Sequence, residues 1–385
     1  MKKIKGLSLF ANVGVAEARL NELDDIEILI ANEIDVKRSK MYQHIYPNTE
    51  MITGDITNSD IFNDIILRSK QLGVNFVIAT PPCQGMSTAG KMNPKDERNQ
   101  LIFYAIKAIK ELMPDYVLIE NVPQQLKTKI HYNNKDILIP EYIHACLDDE
   151  YSICNKIVES SNFGVAQIRQ RSIFLMVKKT IDIKWDFSDL PLTEIPKTLE
   201  DVIGHLPSID PKIQGYSEKE LLDYFPEYYI KQEQGLKVSK WHRPPVHKIR
   251  HVEIMRYTPE GMSAMKNEVH YPKKPNGERI KGYPNTYKRQ LWNRPAYTVT
   301  TYNGAICSHD NVHPGHYIGK DNNGDDIYSD PRVLTIYELM KVMSIPDDWN
   351  IPEWANESLI RHSIGEGIPP LVIKILIENL LNKIT

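Results

Sequence analysis

One cysteine of this chain stands in a setting that suits thiol chemistry. Cys83 follows Pro81 and Pro82, which come directly after the apolar segment Asn75–Ala79. Proline fixes its own backbone and restricts the residue before it, so the double proline would present the cysteine rigidly. A small buried side chain is the plainer interpretation. The polar, glycine-containing loop that follows favours a reactive nucleophile instead.

Charged residues stand at the ends of two other apolar segments. Glu120 would emerge beside Cys83, one helix and one strand later, at the same edge of a sheet. Gln167, Arg169 and Arg171 occupy alternate positions, so they share one face of an extended chain. Two arginines near a thiol would favour the thiolate and could hold a phosphate or a carbonyl oxygen. Taken alone, the same residues are consistent with a charged strand start.

A turn of small residues near the N-terminus suits a nucleoside cofactor. It contains Phe10, Asn12 and Gly14, and backbone N–H groups at such a turn can approach a ligand closely. Glu33 ends the second apolar segment, where a carboxylate can accept hydrogen bonds from both ribose hydroxyls. Asp55 follows the third, where it could accept one from an adenine amino group. Ordinary strand-end carboxylates are the alternative, and the sequence has no Gly-x-Gly-x-x-Gly motif for a dinucleotide.

The elements that must position these residues follow an α/β pattern. Over residues 1–180, short apolar strands alternate with helical stretches, which predicts a parallel sheet covered on both faces. The predicted strands are Ile4–Phe10, Ile26–Asn32, Met51–Ile52, Asn75–Ala79, Tyr116–Ile119, Tyr151–Glu159 and Ser172–Val177. The predicted helices are Gly14–Leu23, Asp60–Gln71 and Asn99–Leu112, with a loop over Lys127–Pro140. A dense apolar helix over Leu371–Asn382 needs this sheet as its partner.

Composition and charge narrow the class of protein. The 385 residues are 41% hydrophobic without an apolar run of membrane-spanning length or a signal core, so cytoplasmic residence is expected and no membrane partner. The spacing of the four cysteines suggests neither disulfides nor zinc. The net charge is −3, yet Lys231–Arg289 holds fourteen Lys or Arg against five Asp or Glu. Such a segment suits a phosphate backbone, and a lysine-rich solvated surface is an equal alternative.

Taken in order, these landmarks resemble the bacterial DNA (cytosine-5)-methyltransferases of restriction–modification systems. They cover nearly the whole chain apart from about residues 180–290. The ordered segments are Phe10-Ala11-Asn12-Val13-Gly14, Pro81-Pro82-Cys83-Gln84, Glu120-Asn121-Val122, Gln167-x-Arg169-x-Arg171, Arg294-Pro295-Ala296-Tyr297-Thr298-Val299, His313-Pro314, Leu334-Thr335, Pro346-Asp347-Asp348-Trp349 and Gly365-Glu366-Gly367-Ile368-Pro369-Pro370. Two positions depart from the pattern, because Asn12 replaces the first glycine of the turn and Glu366 replaces a usual asparagine.

The resemblance implies a Rossmann-like methyltransferase sheet with a smaller, irregular target-recognition domain. It implies S-adenosylmethionine as cofactor, with S-adenosylhomocysteine as product, at a site formed by Phe10, Asn12, Gly14, Glu33, Asp55 and Pro81. It divides the chain into a catalytic domain over 1–180, a target-recognition region over 181–290, a transition over 291–333 and C-terminal helices over 334–385.

The resemblance also implies a mechanism on a cytosine flipped out of double-stranded DNA. Cys83 would attack carbon 6, Glu120 would bind or protonate the ring nitrogen, and Arg171, less directly Arg169, would hold the base carbonyl. The implied DNA contacts are Gln84, Ser87, Gln167, Arg243, Lys248, Arg250 and Arg289, more to phosphates than to bases. A cognate restriction endonuclease acting separately is a second implied partner.

Three other functions share part of this pattern. A transfer-RNA cytosine methyltransferase would share the Pro-Cys-Gln and Glu-Asn-Val landmarks but has a reduced recognition region. A non-catalytic homologue that binds DNA or protein would not need Cys83, Glu120, Gln167, Arg169 and Arg171 together. A nicotinamide oxidoreductase would need phosphate-binding glycines.

Overall fold

The computed structural model describes residues 4–82, 100–274 and 276–384. The predicted nucleophile Cys83 and the predicted DNA contacts Gln84 and Ser87 lie outside these ranges. Among the helices described, none is long and apolar enough to cross a membrane.

Alternating apolar segments form the central sheet of the protein. The strands of the first 180 residues are β1 (Ile4–Leu9), β2 (Ile26–Glu33), β3 (Glu50–Thr53), β4 (Phe76–Ala79), β5 (Tyr116–Asn121), β6 (Lys129–Tyr132), β7 (Lys135–Leu138), β8 (Tyr151–Glu159) and β9 (Gln170–Lys178). Seven of them form one sheet in the order β3-β2-β1-β4-β5-β9-β8, and β6 pairs with β7 separately. All seven predicted strands are confirmed, with bounds shifted by at most two residues.

The predicted all-parallel sheet is wrong at one strand. Strands β1 to β5 pair in parallel, whereas β9 is antiparallel to both β5 and β8. Residue Asn121 pairs with Ser172 at one end of the β5–β9 ladder, and Tyr116 pairs with Val177 at the other. The start of β9 therefore lies beside the carboxyl end of β5.

The described residues form α-helices, some of which cover the two faces of this sheet. They are α1 (Val36–Ile45), α2 (Ser59–Leu72), α3 (Leu101–Leu112), α4 (Ile139–Leu147), α5 (Leu199–Ile203), α6 (Glu218–Tyr224), α7 (Tyr228–Val238), α8 (Ile249–Arg256), α9 (Ile336–Val342), α10 (Glu357–Glu366) and α11 (Pro370–Ile384). Helices α2, α3 and α4 bury residues such as Ile106 against Val77 on one face. On the other face, α11 buries Leu376 against Phe76 and Leu118, which confirms the predicted partner of the C-terminal helix.

Two local predictions in this region are wrong. The segment Gly14–Leu23 forms turns and a short 3₁₀ helix, Leu20–Glu22, because Asn12 and Gly14 adopt positive φ angles of 52° and 77° just before it. The predicted loop Lys127–Pro140 contains the β6–β7 hairpin, which turns at Asn133 and Asn134 with φ angles of 49° and 58°. Consecutive positive φ angles are typical of hairpin turns with the twist of the strands.

Helix α1 was not predicted, because six of its ten residues are polar or charged. Its beginning is nevertheless encoded locally, since the Asp35 side chain accepts hydrogen bonds from the backbone N–H groups of Lys37 and Arg38. The helix buries Met41 and Tyr42.

Shorter elements make up the rest of the chain. Besides α5 to α8, it contains the strands β10 (Lys212–Ile213), β11 (Val246–His247), β12 (Tyr317–Lys320) and β13 (Asp326–Tyr328). A buried ionic network joins this part to α9. The fully buried Arg332 binds Asp330 at 2.8 Å and Glu338 at 2.7 Å, and its Nε donates to the carbonyl of Ile209 at 2.7 Å. Burial alone would raise the pKa of Asp330, but His313 and Arg332 hold it well below its usual range.

Candidate active site

The carboxyl ends of β1, β2, β4 and β5 meet the start of β9 at one edge of the sheet, and the predicted catalytic residues lie here. Glu120 comes from the end of β5, and Arg171 comes from the start of β9. The Arg171 Nε lies 2.7 Å from the Glu120 Oε1. The two residues are 7% and 8% exposed, so the ion pair is largely shielded from water.

Burial gives Glu120 an unusual protonation equilibrium. It raises the pKa of this carboxyl above its ordinary value, while the charges of Arg171 and Arg169 lower it in part. A carboxyl with a raised pKa keeps its proton to a higher pH than an ordinary glutamate, which favours a role as a general acid.

Arg169 and Gln167 have buried roles beneath this pair. Arg169 is 2% exposed, and its guanidinium donates hydrogen bonds to the carbonyls of Val299 at 2.8 Å and Gly365 at 2.7 Å. Gln167 is fully buried and accepts a hydrogen bond from the backbone N–H of Val299 at 3.1 Å. The prediction that Gln167 contacts DNA is therefore corrected, because its amide is buried and joins the segment before β9 to Val299.

The predicted cofactor turn is held by the neighbouring strands. The carbonyl of Phe10 accepts a hydrogen bond from the Thr80 hydroxyl at 3.0 Å, and the backbone N–H of Asn12 donates to Glu33 Oε2 at 2.9 Å. Asn12 has a φ of 52°, in the left-handed region that asparagine tolerates best among residues with a side chain. A Cβ on Gly14, with its φ of 77°, would lie 2.2 Å from the Tyr46 ring. Glycine is therefore required at that position.

The other predicted cofactor residues surround this turn. Asp55 is exposed after β3, and its carboxylate accepts a hydrogen bond from the backbone N–H of Thr57 at 2.9 Å. Pro81 is buried, and its carbonyl accepts a hydrogen bond from the Asn121 side chain at 2.9 Å. Sequence reasoning assigned no role to Asn121, which ties the segment before Cys83 to the end of β5. Its place next to Glu120 in the Glu-Asn-Val landmark was the available signal.

Glu17 is a buried carboxyl behind the cofactor turn that sequence reasoning also missed. It accepts hydrogen bonds from the hydroxyls of Ser8 and Tyr42. Burial raises its pKa from an ordinary value of 4.5 to about 7. Since a lone glutamate in a turn looks like a surface residue in sequence, only its burial identifies it.

Glu17 should make the stability of the protein depend on pH. Because the pKa is higher in the folded state, the protonated carboxyl stabilises the fold at low pH, and this contribution is lost as pH rises from about 4.5 through 7. We expect Glu17→Gln to gain about 2–3 kcal/mol of unfolding free energy over the wild type between pH 5 and pH 8. Urea denaturation at four pH values measures this, with the exposed Glu111→Gln as control. Parallel pH profiles for the Glu17→Gln variant and the wild type would contradict it.

The predicted DNA contacts divide into exposed and buried residues. Arg243, Lys248 and Arg250 are exposed, and Arg243 lies over the Trp241 ring at 5.0 Å. Arg289 is fully buried, and its guanidinium donates hydrogen bonds to the backbone carbonyls of Met255, His313, Ser329 and Asp330. The prediction that Arg289 binds DNA is therefore corrected, since its donors already hold the surrounding loops together.

Known proteins resemble this chain along its whole length. The model of the family described as C-5 cytosine-specific DNA methylase matches residues 4–382. The Type II methyltransferase M1.HgaI of Avibacterium volantium is 41% identical over 388 residues, covering 99% of both chains. The Type II methyltransferase M.DdeI of Desulfomicrobium norvegicum is 25% identical, covering 91% of this chain and 82% of the relative.

Solved structures share the fold. A prophage-encoded E. coli protein described as a DNA modification methyltransferase has a TM-score of 0.66 at 20% identity, covering 99% of both chains. The DNMT2 of Spodoptera frugiperda has a TM-score of 0.59 at 17% identity, covering 98% of this chain and all of the other.

Proposed function

The chain belongs to the C-5 cytosine-specific DNA methylase family, and we propose that its Type II DNA cytosine methylation proceeds on a flipped-out base through Cys83. The observation that carries this proposal is the Glu120–Arg171 pair, 2.7 Å apart at the end of β5. The neighbouring strand β4 leads from the same edge into Pro81, two residues before the cysteine.

Methylation of cytosine at carbon 5 requires a nucleophile and an acid that act on the same base. Carbon 5 of cytosine is a poor nucleophile until the Cys83 thiolate adds to carbon 6 and Glu120 donates a hydrogen bond or proton to the ring nitrogen. Electron density then collects at carbon 5, which takes the methyl group. Loss of the carbon-5 proton and expulsion of the thiolate restore the aromatic ring. Arg171 orients the carboxyl and can reach the base carbonyl, while Arg169 acts as a positioning residue.

The described residues fit S-adenosylmethionine, which would supply the methyl group. The turn at Phe10, Asn12 and Gly14 lies against Glu33, whose pKa burial raises and whose carboxylate already accepts hydrogen bonds from the N–H groups of Asn12 and Asp35. The Oδ1 of Asn12 is buried without a hydrogen-bond partner among the described residues, which leaves an acceptor for a ligand donor. Glu33 and the exposed Asp55 would bind ribose and adenine, and Pro81 would close the site.

Double-stranded DNA is the proposed substrate, and a cognate endonuclease that cuts the same sequence is the proposed separate partner. The exposed cations Arg243, Lys248 and Arg250 lie in the proposed recognition region, residues 181–290. Phosphate contacts of this kind position a protein on DNA and weaken with salt.

Expression in a host that lacks cytosine methylation tests the function directly. Bisulfite sequencing of the host DNA should show one sequence context in which a cytosine resists conversion, and the empty vector should show none. Methylation of host transfer RNA, with every DNA cytosine converted, would replace the proposal by its RNA alternative. Unmodified DNA and RNA in cells that contain soluble protein would favour a non-catalytic homologue.

A further inference from the structure

The two residues that depart from the family pattern, Asn12 and Glu366, contact each other. The Asn12 side chain donates from Nδ2 to the Glu366 carboxylate at 3.2 Å, although 354 positions separate them in the chain. The same Nδ2 lies 3.4 Å from the carbonyl of Ser363, one turn earlier in α10. The two departures from the pattern therefore meet at one point of the structure.

Two basic side chains complete the surroundings of Glu366. The Arg38 Nη1 lies 2.8 Å from its Oε2, and the His362 Nε2 lies 3.0 Å from its Oε1. Arg38 belongs to the first turn of α1, which begins three residues after Glu33. The carboxylate therefore connects the cofactor turn, the helix after the ribose-binding position, and α10.

The same connection extends to the positioning residue Arg169. The Arg169 Nη2 donates to the backbone carbonyls of Gly365 at 2.7 Å and of Glu366 at 3.3 Å. A Cβ at Gly365 would lie 2.3 Å from the carbonyl of Thr300, so the backbone has little freedom to shift here. Displacing Glu366 would disturb both the cofactor turn and the support of Arg169.

The chemistry of the two side chains makes them mutually dependent. A carboxylate can accept from Asn12, Arg38 and His362 together and carries the charge that pairs with Arg38. An asparagine at position 366 would carry no charge and has only one acceptor oxygen. A glycine at position 12 would leave the carboxylate without its amide donor.

We propose that Asn12 and Glu366 form a brace that holds the cofactor turn in its binding conformation, with Glu366 as a positioning residue for S-adenosylmethionine. The brace rests on the proposed cofactor. It replaces the glycine-and-asparagine combination of the family pattern with a hydrogen-bonded pair. Cofactor affinity therefore depends on the two residues as a unit.

A double-mutant cycle on cofactor binding tests the brace. Asn12→Gly, Glu366→Asn and the double variant are titrated with S-adenosylhomocysteine by calorimetry, in the full-length protein without DNA. Each single variant should bind about tenfold more weakly, because each leaves a charged or buried partner unsatisfied. The double variant restores the family combination and should bind no more weakly than the single variants.

The control for the substitution is Glu353→Asn. Glu353 is also a carboxylate paired with a cation, Lys240 at 2.9 Å, but its side chain is 86% exposed, and its replacement should leave affinity unchanged. The variant Arg38→Gln provides a second cycle. It should weaken binding in the wild type and have no effect once Glu366 is asparagine. Thermal unfolding of each variant separates a loss of folded protein from a loss of affinity.

If the two single losses of affinity multiply, to about a hundredfold in the double variant, the brace is overturned and the proposed function still stands. Unchanged affinity in both single variants would have the same consequence. A wild-type protein that binds no S-adenosylhomocysteine would instead overturn the proposed cofactor, and the brace with it.

Discussion

Replacing Cys83 by serine is expected to abolish methyl transfer to DNA. A hydroxyl is a far weaker nucleophile than a thiolate toward carbon 6, so carbon 5 is no longer activated and the rate should fall by at least about 10³-fold. Binding of cofactor and DNA should persist, since the serine differs by one atom. Transfer of a radiolabelled methyl group to a DNA substrate measures the rate.

A mechanism-based probe sharpens this test. DNA containing 5-fluorocytosine at the target site should form a gel-stable adduct with the wild type, because fluorine cannot leave as the carbon-5 proton does. The Cys83→Ser variant should form none. Cys307→Ser is the matched control, because Cys307 is an exposed cysteine and should be dispensable. Equal methylation or adduct formation by Cys83→Ser and the wild type would remove Cys83 from the mechanism.

Glu120→Gln is expected to reduce kcat by roughly 10²–10⁴-fold, the range of a lost general acid or base. The amide keeps the size of the side chain but cannot transfer a proton to the ring nitrogen, and it leaves Arg171 without its ionic partner at 2.7 Å. Single-turnover kinetics at saturating cofactor and DNA measure this loss. The KM for the cofactor should change little, since the cofactor turn is held by other residues.

The pH dependence of the rate gives a second signature of Glu120. Burial raises its pKa, so the proton-donating form persists to higher pH than in an ordinary glutamate and is lost as pH rises through that pKa. The wild-type rate should show this fall, and the residual rate of Glu120→Gln should not. Glu159→Gln, in strand β8, is the matched control. A variant that keeps wild-type turnover would show that Arg171 or another group activates the base.

Several features of the site followed from local sequence patterns. Glu33 and Glu120 follow short apolar runs, which predict buried strands. A charged residue after such a run indicates the end of the buried strand. The helix over Leu371–Asn382 needed a large apolar partner and packs on the sheet. The positive φ of Asn12 agrees with a local preference, because asparagine adopts that conformation more readily than other residues with a Cβ.

Other features depended on contacts between distant residues. Arg250 and Arg289 cannot be told apart by their place in a basic segment. In the structure Arg289 is fully buried, and its guanidinium donates hydrogen bonds to loops between residues 255 and 330. Gln167 looked like a surface residue on a shared face, and it binds Val299, 132 positions away. A basic composition predicts the net charge of a segment, whereas exposure depends on what packs against each residue.

The positions of the strand-end carboxylates and of the turn residues were determined by the sequence itself, because hydrophobic runs and backbone preferences act within a few residues. The reactivity of Cys83 stays a prediction from the proline geometry before it. Only the tertiary structure decided the direction of β9, since an apolar strand has the same pattern whichever way it runs. That direction brings the start of β9 to the end of β5 and sets Arg171 against Glu120. The tertiary structure also decided the contact between Asn12 and Glu366. Residues 354 positions apart meet only when the chain between them is folded, and no local pattern predicts that.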